Sequence, residues 1–82
     1  MRETNIFYIN GKAIALPILV KGDRVSPKDN STMAINPTGT VNHTKDDGFF
    51  IFVDWDKENY KSKDGGTVQL GSKRTVDGLK LI

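Results

Sequence analysis

The sequence predicts a small all-β domain, and three observations carry that prediction. No long stretch repeats apolar residues at helical spacing, the apolar residues fall in short β-branched and aromatic runs, and turn-forming residues separate those runs. Eight glycines and three prolines interrupt the chain too often for a stable amphipathic helix. Eighty-two residues make one domain. A chain of this size buries about 60–65% of the surface exposed when unfolded, so it depends on a compact core or on assembly. Cysteine is absent, which excludes disulfide staples and thiolate metal sites.

The first run, NIFYINGKAIAL (5–16), sets Asn10-Gly11 between two β-rich arms. Both turn residues tolerate positive φ, so the run predicts a tight hairpin, with Pro17 ending or bending its second arm. ILVKGDRVSP (18–27) follows, with Val20 and Val25 in a strand that stops at Pro27. KDNSTMAINPT (28–38) is a polar loop with Met33 and Ile35 as anchors, and GTVNHT (39–44) is a short strand. Lys45-Asp46-Asp47-Gly48 supplies the next turn, Gly48 being suited to a left-handed position. The strand GFFIFVDWD (48–56) comes next, then a polar loop KENYKSKDGG (57–66) and a strand TVQL (67–70). GSKRTVDG (71–78) reads as a turn with one helical turn at 75–78, and the last strand covers 79–82.

The strand at 48–56 is apolar on both faces. Period-two alternation puts Phe49, Ile51, Val53 and Trp55 on one side and Phe50 and Phe52 on the other. With the first set inside, the two outer phenylalanines need a cover. Ile6, Tyr8, Ile14 and Leu16 of the hairpin could provide it, each buried ring contributing about 1.5–3 kcal/mol. Otherwise Phe50 and Phe52 form a docking surface or a homodimer seam.

GDRV at 22–25, GTV at 39–41, VDWD at 53–56 and DGLKLI at 77–82 follow one another in an order that resembles the SH3-like small β-barrels, in their KOW, Tudor and Mind-bomb-type branches. The resemblance covers residues 20–82 and implies a barrel of about five strands, closing with a helical turn and a final strand. Residues 1–19 then form an N-terminal β-hairpin extension packed on that barrel. Between GDRV and GTV there is no glycine of the kind KOW motifs place against a partner, which points away from a KOW-type role.

The chemistry-bearing residues are sparse. His43 is the single histidine and reads as a strand residue beside a turn, so no catalytic residue is nominated. Asp46, Asp47, Asp54 and Asp56 offer oxygen ligands, but without calcium-loop spacing; they read as a turn and a solvated acidic edge, and no metal or cofactor is expected. Trp55, Tyr60 and Phe50, with Asp56 as countercharge, are the materials of a Tudor-type aromatic cage, against which Trp55 reads as core.

Twelve basic and ten acidic residues give a net charge of +2, too little to mark a polyanion binder. Residues 46–56 carry four aspartates and no base, flanked by two mildly basic segments. The expected function is a non-enzymatic binding module, an adaptor, accessory or inhibitor protein of the size phages and mobile elements encode. Its partner is a protein, met through Phe50, Phe52, Asp54 and Asp56. The alternative is a nucleic-acid-binding barrel using Tyr60, Lys61, Lys63, Lys73 and Arg74 in basic loops. No signal sequence or apolar run of membrane-spanning length is visible, so a cytoplasmic monomer or homodimer is expected.

Overall fold

A computed structural model describes residues 2–82 and is all-β. Strands β1 (Thr4–Ile9) and β2 (Lys12–Pro17) form the N-terminal hairpin. Asn10 and Gly11 turn it at φ 52° and 77°, the mirror-image geometry that matches strand twist. β3 (Arg24–Pro27), β4 (Gly39–Lys45) and β5 (Phe50–Trp55) follow. β6 (Tyr60–Lys61) and β7 (Thr67–Val68) make a two-residue ladder, to which a single bridge ties Met33 through Ser62. β8 (Lys73–Thr75), a 3-10 turn at Val76–Gly78 and β9 (Leu79–Leu81) complete the chain. Among the described residues no helix is long and apolar enough to cross a membrane.

Five strands make one antiparallel sheet in the order β8-β5-β4-β3-β9. The sheet is open: β8 and β9 are its edges and do not pair with each other. The 71–78 stretch, expected to be a turn, supplies β8, whereas 67–70 contributes only Thr67–Val68 as strand. The reason is visible in the register. β8 sets Lys73 and Thr75 outward opposite Phe52 and Phe50, and Arg74 inward opposite Ile51, so a polar edge strand carries no apolar alternation. Val20 lies outside any strand and is exposed, as is Ile35, while Met33 is buried as an anchor should be.

The core gathers on the inner face of this sheet: Val25, Val41, Ile51, Val53, Val76 and Leu79, closed by Phe7, Leu16 and Leu19 from the N-terminal segment. Ile51 is fully buried and Val53 is 1% exposed, while Phe49 and Trp55 are half-buried at the margin. Trp55 is therefore not the centre around which the sheet wraps. Its indole lies at the mouth of the core, with Nε1 donating to the Gly71 carbonyl at 3.1 Å and the Arg74 guanidinium 5.5 Å from its ring.

The hairpin covers the sheet differently from the expectation. Leu16 is buried, but Ile6, Tyr8 and Ile14 are exposed, at 52%, 78% and 37%. A two-residue turn pairs Ile9 with Lys12, so odd-numbered residues of β1 share a face with even-numbered residues of β2. Phe7 is thus the inner residue beside Ile14 and Leu16, and its ring meets Phe49 at 6.2 Å between centroids. Ile6 and Tyr8 belong to the other face.

Gly39 opens β4 directly across the ladder from Trp55 of β5. A Cβ there would meet Val53 Cγ1 at 2.6 Å, the Asp54 carbonyl at 2.8 Å and Trp55 Cε3 at 3.0 Å, two rigid neighbours and a packed ring. Gly39→Ala is expected to cost about 1–3 kcal/mol as overpacking, lowering the urea midpoint with an unchanged slope. Gly71→Ala, with nothing within 4 Å of the added atom, is the control and should leave the midpoint in place.

Candidate functional site

The outer face of β4, β5 and β8 explains the second apolar side of β5. Cross-strand register sets His43 and Lys73 on either side of Phe52, and Lys45 and Thr75 on either side of Phe50. The His43 imidazole lies parallel to the Phe52 ring, 4.3 Å away at 9°. Lys73 Nζ sits 4.3 Å from the Phe50 centroid and Lys45 Nζ 5.5 Å from that of Phe52. Phe50 also meets Phe49 edge-on at 4.9 Å. Both outer phenylalanines are half-buried under side chains of their own sheet: lysine stems cover apolar surface while their ammonium groups reach water. His43 reaches this face because β4 carries a bulge between Val41 and His43, which shifts the register by one residue. Sequence alternation alone misses that shift, and with it the roles of His43 and Lys45.

Acidic residues do not form one band. Asp54 is exposed and accepts from Asn42 Nδ2 at 2.9 Å. Asp56 is a structural tie: Arg24 donates to both of its oxygens at 2.8 and 2.5 Å, and Thr38 Oγ1 donates at 2.6 Å. Its backbone N–H donates to the Thr38 carbonyl at 3.0 Å, so Asp56 fastens the end of β5 to β3 and to the approach of β4. The Arg24 hydrogen bond, with that of Thr38, holds the Asp56 carboxyl well below its ordinary value, and Asp56 raises Arg24 in return. The carboxylate is thereby committed within the fold.

The basic candidates also separate. Lys61 and Lys63 lie on and beside the β6–β7 ladder, whereas Lys73 and Arg74 lie on β8 and point to opposite faces of the sheet. Tyr60 is only 4% exposed, its hydroxyl donating to the Thr38 carbonyl and accepting from the Lys57 N–H, both at 3.1 Å. A ring so placed offers no stacking surface to a base and cannot join an aromatic cage. Phe50, Phe52, Asp54 and Lys73 are the nominated residues that share one surface, with Asp54 at its end, and His43 and Lys45 complete it.

Two further features adjoin these elements. A cleft of about 510 Å³ lies between residues 18–21 and the end of β4, with Lys21, His43 and Lys45 on its walls and Asp46 and Asp47 at its turn. The outward face of the hairpin carries Thr4, Ile6, Tyr8, Ala13, Ala15 and Pro17, none of them charged. Among the described residues no three histidines or acids converge to hold a metal ion. Compared with known proteins, the chain matches no family model, no curated protein and no solved structure.

The Asp56 tie carries a pH signature. A carboxyl held below its ordinary value of 3.8 stabilises the fold fully above that value and loses its contribution as pH falls through the lowered one. Asp56→Asn is expected to lower the urea midpoint at neutral pH. Its midpoint should also decline less than that of the wild type from pH 4 towards stronger acid, measured by denaturation at successive pH values.

Proposed function

We propose that this chain is a non-enzymatic protein-binding module of SH3-like architecture, with residues 1–19 as a docking arm carried on a body formed by residues 20–82. The SH3-like reading is supported by the strand order. β3, β4, β5 and β8 are successive neighbours, and after a 3-10 turn β9 returns beside β3. Within this reading the arm is locked to the body through Phe7, Leu16 and Leu19, which fixes the direction its outer face looks.

The observation that carries the protein partner is the uncharged outward face of the β1–β2 hairpin. Ile6 stands opposite Ala15, and Tyr8 opposite Ala13, so two large side chains rise beside two small ones. That relief gives a ridge and a shallow step, into which a partner's side chains fit. Burying the exposed half of Ile6 would contribute about 1 kcal/mol, and tyrosine adds a broad apolar ring with a polar tip at little entropic cost. Phosphates find no cation on this face, which favours a protein over a nucleic acid there. Both long edges of the two-stranded hairpin are unpaired, leaving main-chain groups for strand addition by the same partner.

The test is affinity capture from the native source with the wild type and with Ile6→Ser/Tyr8→Ser. The double variant should melt at the wild-type temperature, because both side chains already face water, and should lose the protein the wild type retains. Capture that survives the double substitution, or a wild type that retains no protein, overturns the proposal. Sedimentation at increasing concentration identifies the case in which the partner is a second copy.

A further inference from the structure

We infer that the outer face of β4, β5 and β8 is a short binding site for single-stranded nucleic acid, built from Phe50, Phe52, His43, Lys45 and Lys73. This face is distinct from the outward side of the hairpin, so the inference stands apart from the protein-docking reading.

Three observations converge. Lys45 and Lys73 hold no carboxylate: among the described residues the ion pairs are Arg2–Asp23 and Arg24–Asp56. Their ammonium groups instead lie 5.5 and 4.3 Å from the phenylalanine centroids, leaving donor hydrogens free for phosphate oxygens. Phe50 and Phe52 sit two residues apart, about 7 Å along the strand, and the half of each ring left uncovered is spaced so that an extended backbone can bring successive bases against it. Finally, the His43 imidazole is stacked on Phe52 with centroids 4.3 Å apart and is itself exposed, so its outward side offers an aromatic plane to an unpaired base. Aromatic planes interleaved with unpaired cations suit a ligand of alternating rings and negative charges. An acidic peptide would use the lysines and leave the rings idle, whereas paired bases in a duplex cannot reach the rings.

The charge pattern also limits the footprint. Asp54 lies beyond Phe52 at one end of the stretch, and Asp46 and Asp47 lie beyond Lys45 at the other. Carboxylates at both ends repel phosphates, so the site spans a few nucleotides.

Fluorescence anisotropy with a short labelled oligo(dT), its duplex counterpart and polyglutamate as competitor tests the inference. The single strand should bind at low ionic strength, with a log–log salt slope of about −1.4 for two lysine–phosphate contacts. Lys45→Gln/Lys73→Gln should flatten that slope towards zero while the domain stays folded, with only the small fall in melting temperature that loss of the two ring contacts brings. Phe52→Leu should weaken binding by roughly 5- to 150-fold while the slope persists. Arg74→Gln and Lys61→Gln/Lys63→Gln, on other surfaces, should change neither. The inference is overturned by no binding at low salt, by equal or tighter binding of the duplex, or by polyglutamate competing as well as unlabelled oligo(dT). Loss of binding in Lys61→Gln/Lys63→Gln but not in Lys45→Gln/Lys73→Gln overturns it as well. If Phe52→Leu unfolds the domain, the lysine variants decide.

Discussion

The structure depends on the burial of Ile51 and Val53 against Val25, Val41, Val76 and Leu79. β5 lies inside the sheet with β4 on one side and β8 on the other, so its alternation sets the facing of both neighbours. Once these two side chains point inward, Phe50 and Phe52 must point outward. Gly39 is then required where the Trp55 side chain packs over its cross-strand partner, and the polar strand β8 is held by a ladder rather than by its own apolar residues. A domain this small has little redundancy, so one strand's facing governs the whole surface.

The outward phenylalanines show how a small sheet can carry apolar surface without a second layer. Their cross-strand neighbours are long cationic side chains and an imidazole, which pack on the rings and still reach water. Each ammonium gains attraction from the ring face, and each ring is partly shielded from solvent. The same arrangement that keeps this face soluble also displays cations without carboxylate partners. On the opposite end of the strand the charges behave otherwise, for Arg24 and Asp56 satisfy each other and bind three segments together.

The hairpin works by a parity rule. Its two-residue turn decides that Phe7, Ile14 and Leu16 share one face, leaving Ile6 and Tyr8 on the other. Phe7 and Leu16 enter the core, and a two-stranded hairpin too small to be stable alone is thereby held in place. Its outer face is then a rigid uncharged surface rather than a loose arm. The two faces proposed as binding surfaces thus differ in chemistry for structural reasons, one uncharged and mainly apolar and one aromatic and basic.

Local signals in the sequence determined the all-β class, the Asn10-Gly11 hairpin, the Gly48 turn, the Pro17 stop, the helical turn before the last strand and the split of β5, because each follows from the conformational limits of a few adjacent residues. The hairpin parity was also present there, since register through a two-residue turn is arithmetic, although an apolar count alone places Ile6 and Tyr8 on the wrong side. Tertiary structure decided what depends on distant neighbours. Lys73–Thr75 is a strand because β5 offers it a ladder, and Tyr60 is buried because residues 38 and 57 enclose its hydroxyl. His43 meets Phe52 because a bulge shifts β4 by one residue, and Asp56 belongs to Arg24 because three segments end at one point. Such pairings join residues far apart in the chain, and their energies come from contacts that no local pattern encodes.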